Sequence, residues 1–143
     1  MIPQYYSPDR EVLGRLLQWR QGGHDASLVT VLRTWGSSPR PPGSLLAVRD
    51  DGLFEGSVSG GCVEADLVDR IHAGDLRRER LARVMYGVAR EDAGRFGLPC
   101  GGRLELLLER PPQASMEVLL RRLDAGELVG RNGNGSNLCF GQI

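Results

Sequence analysis

Lysine is absent from this chain of 143 residues, and all 18 basic side chains are arginine. A Schiff-base lysine and a Walker A lysine are thereby excluded. Histidine is scarce. His24 and His72 are the only two, so a three-histidine metal site cannot be built, and a Ser-His-Asp arrangement would have to use one of them. Cysteine occurs at positions 62, 100 and 139, an odd count whose spacings match no zinc ribbon or CxxC pair. Net charge is zero, with 18 acidic residues against 18 arginines, which argues against a dedicated nucleic-acid or anionic-membrane binder. No run approaches the roughly 18 apolar residues of a membrane span. The N-terminus has neither the basic region nor the apolar run of a signal peptide. The expectation is a cytoplasmic chain with reduced thiols.

What is present is ordinary globular composition, 41% apolar and 25% charged, at a length suited to one domain. Ser7-Pro8-Asp9 reads as a helix start, and Val12, Leu13, Leu16 and Leu17 share one helical face before Gly22-Gly23 stops it. Ser27 to Trp35, Ser44 to Arg49, Leu53 to Ser59, Leu81 to Tyr86 and Leu104 to Leu108 read as strands. The Asp51-Gly52 step favours a hairpin between the second and third of these. A helix is expected from Gly61 to Ala73, with Val63, Leu67 and Ile71 as its apolar stripe, and another from Ser115 to Leu123. Helices interleave with at least one tight hairpin, which predicts an α+β domain with a mixed β-sheet and flanking helices. That domain is expected over residues 1–129. The polar run Gly130 to Asn137 marks 130–143 as a loose tail.

Two segments carry chemistry. In Gly56-Ser57-Val58-Ser59-Gly60-Gly61-Cys62-Val63-Glu64 a strand runs through a Gly-Gly turn into a helix. Unpaired backbone N–H groups and the positive end of the macrodipole meet there. Ser59, Gly60, Gly61 and Cys62 could therefore cradle a phosphate, and Cys62 would gain thiolate character. Glu64 and Asp66 work against a bound anion, although both also suit a first helical turn. In Gly97-Leu98-Pro99-Cys100-Gly101-Gly102 a tight, side-chain-poor loop leaves a sulfur accessible, and soft thiolates suit thiophilic metals. The plain alternatives are a small buried cysteine, a Gly-Gly turn with no further role, or a Cys62–Cys100 disulfide. The proline-rich stretch 36–43 is either a stiff connector or a rigid mount presenting Ser37, Ser38 and Arg40 to an anion. His24 reads as a loop residue, His72 as part of a solvated helix end, and Trp19 and Trp35 as packing residues.

Thr34 to Gly43, Gly56 to Glu64 and Gly97 to Gly102 together resemble the signature blocks of the XdhC/CoxI family. Tyr86-Gly87-Val88 ahead of Glu91-Asp92 is similar as well. The resemblance spans residues 10 to 125, and three blocks in order are far more specific than one glycine-rich match. It implies an accessory protein for molybdenum hydroxylases, related to the N-terminal domain of members that continue into a Rossmann-like domain. Such proteins bind the molybdenum cofactor (molybdopterin), protect it and help insert it in sulfurated form. The implied role is that of a chaperone rather than a catalyst, with the cofactor as cargo. A thiol-dependent enzyme of sulfur transfer and a purely interacting domain stand as alternatives. Implied partners are a xanthine dehydrogenase-like client, a cysteine desulfurase and a second copy of the chain, with no nucleic acid and no membrane. Carried onto this sequence, the cofactor-binding residues are Ser59, Gly60, Gly61, Cys62, Cys100, Gly101, Gly102 and Arg40. Cys62 and Cys100 would stand nearest the metal.

Overall fold

The structure, a computed structural model, describes residues 8–36, 40–61, 63–74, 81–87, 103–126, 129–132 and 139–142. The chain runs α1 (Pro8–Gln21), β1 (Ala26–Trp35), β2 (Leu45–Arg49), β3 (Phe54–Gly56), α2 (Glu64–His72), β4 (Leu81–Tyr86), β5 (Arg103–Glu109), α3 (Gln113–Asp124), β6 (Val129–Asn132) and β7 (Cys139–Gln142). The α+β class is as expected. The sheet is not mixed: its order is β3-β2-β1-β5-β4, and each neighbouring pair is antiparallel. Short reversals join β1 to β2 and β2 to β3. The α2 crossover then carries the chain to the far edge, where β4 enters parallel to β1 and β3 but pairs with the reversed β5 between them.

The sheet separates two apolar cores. On one side α2 lays Leu67, Val68 and Ile71 against Val29, Val31, Leu46, Leu104, Leu106 and Tyr86. On the other, Val12, Leu13, Leu16 and Trp19 of α1 and Met116, Leu119 and Leu120 of α3 enclose Ala26, Leu28 and Ala47. The first six residues of β1 are therefore buried on both faces, while its last four alternate between half-buried and exposed. That is why the run from Ala26 to Val31 lacks the polar alternation of a one-sided strand. Each aliphatic side chain taken fully out of water contributes about 1.5–3 kcal/mol. A bidentate pair from Arg10 to Asp124, Nε–Oδ1 2.9 Å and Nη2–Oδ2 3.0 Å, joins α1 to α3 at the surface.

Glycines set several boundaries. After α1, His24 N donates to Trp19 O and Gly23 N to Arg20 O, with Gly23 at φ +89°, a Schellman ending. Gly56 closes β3 at φ +100°, where an added Cβ would lie 2.4 Å from the Leu45 carbonyl oxygen and 2.9 Å from Val12 Cγ2. Within the segment expected to be a loose tail, β6 and β7 pair antiparallel from Val129↔Gln142 to Asn132↔Cys139. In sequence the Gly-Asn run lies between those two strands, and it has the composition of a hairpin connection as much as of a tail. No described helix is long and apolar enough to cross a membrane.

Gly56→Ala combines a left-handed backbone with a clash against fixed backbone. Chemical denaturation should show a loss of about 2–4 kcal/mol, whereas Gly23→Ala, with open space around its Cβ position, should lose less.

Candidate functional site

Strand direction brings the notable segments to one end of the sheet. β1 ends there at Trp35, opposite the start of β5 at Arg103. β4 ends there at Tyr86, opposite Leu104. β2 begins there, extended by Gly43 N donating to Val31 O and Val31 N to Ser44 O, and β3 ends there at Gly56, opposite Leu46. The connection bearing Arg40, the turn bearing Ser59, Gly60 and Gly61, and the chain that leaves Tyr86 and returns at Arg103 are thus all tethered to the same sheet end. Cys62, Cys100, Gly101 and Gly102 lie outside the described residues, as do Ser37 and Ser38.

The turn from β3 into α2 is organised around a carboxylate. Glu64 is buried, at 4% relative exposure. Its Oε1 accepts from Val58 N at 2.9 Å, Ser59 N at 2.8 Å and Ser57 Oγ at 3.2 Å. Its Oε2 accepts from Gly61 N at 2.9 Å and from Ser59 Oγ. Ser59 Oγ in turn accepts from Val63 N at 2.9 Å, and Ser57 Oγ from Gly60 N at 3.0 Å. Burial alone would raise the Glu64 pKa. Hydrogen bonds from the Ser59 hydroxyl, from the amides of Val58 and Ser59, and from its own backbone outweigh that and lower it to about 2.

The amides of Ser59, Gly60 and Gly61, expected to cradle an external phosphate, therefore already serve an internal carboxylate and a serine hydroxyl. The helix also begins later than expected, at Glu64 rather than Gly61. Gly60 at φ +73° and Gly61 at φ +108° cannot belong to a right-handed helix. Both glycines are exposed, and a Cβ on Gly61 would meet nothing within 4 Å. The turn thus directs its donors inward and presents bare backbone outward.

Two further contacts stiffen this end. Tyr86 Oη donates to Asp66 Oδ2 at 2.7 Å and so ties the end of β4 to the first turn of α2. Burial, and then that bond to Asp66, hold the Tyr86 hydroxyl well above its usual pKa, so it remains a donor. Arg40 stands close enough to Asp9 for its charge to oppose the upward shift that partial burial gives that carboxyl. Among the described residues no group of three or more His, Cys, Asp and Glu is placed to hold a metal. His72 Nδ1 lies 2.8 Å from Asp50 O at the opposite end of the sheet, away from these segments.

Glu64 is the residue that sequence reasoning undervalued. It shares the helical face of Leu67, Val68 and Ile71, all buried. A carboxylate on an apolar stripe directly after Gly-Gly is a legible signal, because a charge on a buried face must find donors.

An α+β domain with a carboxylate-locked glycine turn at one end of an antiparallel sheet is the class this geometry defines. The family model described as "XdhC and CoxI family" matches residues 19–87. The "Molybdenum cofactor insertion chaperone PaoD" of Escherichia coli (strain K12) is 33% identical over 131 residues, covering 85% of this chain and 38% of that protein. A probable xanthine dehydrogenase component of Bacillus subtilis (strain 168) is 34% identical over 92 residues, 62% of this chain and 27% of that one. A crystal structure of a xanthine dehydrogenase from Bacillus halodurans shares the fold with a TM-score of 0.69 and 27% identity, over 94% of this chain and 42% of that chain. The chain belongs to the XdhC and CoxI family. It spans well under half the length of the relatives it matches.

Glu64→Gln sets an amide NH2 against N–H donors and should cost about 3 kcal/mol in denaturant titrations. The folded pKa of about 2 lies below the ordinary 4.5, so this carboxylate's contribution is complete above pH 4.5 and is lost as pH falls toward 2. Stability measured across that window should fall less steeply in the variant than in the wild type.

Proposed function

We propose that this domain is a molybdenum-cofactor chaperone module that receives the cofactor as cargo, shields it and presents it to a molybdenum hydroxylase client. The observation that supports this most is convergence: the strand order brings the described parts of the first two family blocks to one end of the sheet, the end at which β5 begins directly after the third block in sequence. The chaperone named among the relatives supplies the cargo class, and the xanthine dehydrogenase relatives supply the client class.

The residue roles follow from chemistry. The exposed Gly60–Gly61 backbone, with open space where a Cβ on Gly61 would stand, accepts a flat ligand at close range. Cys62 follows that backbone directly, and Cys100 precedes Gly101-Gly102 just before β5. Their thiolates suit molybdenum and its sulfur ligands. Arg40 meets the cargo's phosphate, a role the inward-facing amides of Ser59 and Gly61 leave to a side chain. Ser59 acts through Glu64, by holding the turn in shape. Gly101 and Gly102 keep the second segment free of side chains. The chain's own contribution is to bind, orient and exclude water, while the redox chemistry belongs to the cargo once it reaches the client.

Retention of freshly released cofactor under anaerobic conditions, read as pterin fluorescence after oxidation, tests this. Wild type should retain pterin after desalting, and Cys62→Ala and Cys100→Ala should each retain several-fold less while melting like wild type. Gly61→Val should also lose retention, through its φ of +108° and the side chain it places over the bare backbone. Equal retention by all four proteins overturns the site, and no retention by folded wild type overturns the function.

A further inference from the structure

We propose that the sheet face centred on Glu105 is a docking surface for an acidic protein partner. On this face, opposite α2, cross-strand neighbours form a compact grid. Trp35 pairs with Arg103, Arg33 with Glu105, and Glu105 with Met85, while Arg83 lies one step further along β4. The helices α1 and α3 enclose the half of this face formed by β2 and the start of β1. Arg33 and Arg83 are left 73% and 75% exposed at their side chains, and Trp35 and Met85 stand 37% and 39% exposed.

The charge on this face is unbalanced. Three arginines, Arg33, Arg83 and Arg103, share this face with one carboxylate, Glu105, that is itself almost buried. Arg33 Nε is 3.9 Å and Arg83 Nη1 3.6 Å from Glu105, within ion-pair range but beyond a hydrogen bond. Arg103 stacks on the Trp35 ring at 5.0 Å. None of the three guanidinium groups donates a hydrogen bond to a described residue. A net charge of two positive units, on side chains this exposed, is complementary to carboxylates on another surface.

Shape and composition favour a protein over a small anion. The face is an open strand surface of about 13 by 10 Å. Arginine, tryptophan and methionine interleaved are the composition of an interface centre. Its Trp35–Arg103 row is also where β1 passes into the Arg40 connection and where β5 follows Gly101-Gly102. A partner seated here would abut the proposed cargo site. Naming that partner as the hydroxylase client rests on the reading of the preceding subsection; the surface and its charge preference do not.

The test uses a fluorescein-labelled oligoglutamate peptide as probe, followed by anisotropy at low salt and at about 0.2 M. Wild type should bind it, more weakly at the higher salt. The triple variant Arg33→Gln/Arg83→Gln/Arg103→Gln should bind at least about tenfold more weakly, as expected from the loss of three exposed charge contacts. The single Arg83→Gln, on the edge strand, should show a smaller loss in the same direction should the triple variant fold poorly. A control with the same charge removed from the helices, Arg15→Gln/Arg121→Gln/Arg122→Gln, should bind like wild type. The proposal is overturned if wild type does not bind, if the control loses as much as the triple variant, or if inorganic phosphate displaces the probe as well as unlabelled peptide does. It is also overturned if the triple variant changes the chain's own oligomeric state in sedimentation, which would make a second copy the occupant. Pterin retention measured on the same variants separates the two readings. Peptide binding without retention by wild type leaves this surface standing and removes the chaperone function, and retention without peptide binding does the reverse.

Discussion

A carboxylate taken out of water is stable as an anion only if donors replace the water it loses, and Glu64 finds them in the turn just before it. Much of the site end follows from that requirement. The amides of Val58, Ser59 and Gly61 must point inward, which forces Gly60 and Gly61 into left-handed backbone and delays the start of α2. Ser59 joins the arrangement on both sides, donating to the carboxylate and accepting from Val63. The backbone is therefore held immediately before and immediately after Cys62 in the chain. The same carboxylate also takes up the positive end of α2 that an external anion would otherwise use.

The rest of the molecule brings distant segments within reach of that turn. Two cores, one on each face of the sheet, fix the strand order. Antiparallel pairing then determines which connections share an end. Arg40, the Ser59–Gly61 turn and the chain either side of Tyr86 and Arg103 gather at one end, while His24, His72 and the Asp50–Gly52 turn gather at the other. The bond from Tyr86 to Asp66 reaches from strand to helix at the site end, so helix α2 is anchored there by its own first turn as well as by its apolar stripe.

The strands were legible because their residues speak locally. Leu81 to Tyr86 reads as a strand and is one, while β1 begins one residue earlier than expected and β5 is one residue longer at each end. The proline-rich connection and the glycine stops were likewise readable, since proline and glycine constrain backbone wherever they occur. The expected third strand shrank from Leu53–Ser59 to Phe54–Gly56 because Val58 and Ser59 give their amides to Glu64 instead of to a ladder. The chemistry of the Gly-Gly-Cys segment was visible as a pattern, but its donors were assigned to an outside ligand when a carboxylate from the next helical turn was nearer.

By itself the sequence determined what depends on near neighbours: the element types, the apolar faces, the turn chemistry, and the motif blocks by which its family is recognised. It also determined what is impossible, since a chain without lysine and with two histidines cannot perform chemistry that needs more of either. Tertiary structure decided which strands are neighbours and therefore which blocks share an end. It decided that the sheet is wholly antiparallel, that Glu64 rather than a bound anion fills the turn, and that Arg33, Arg83 and Arg103 share one face with Glu105. These are pairings between residues far apart along the chain. They are selected by burying two faces of one sheet at once, and no local propensity encodes that condition.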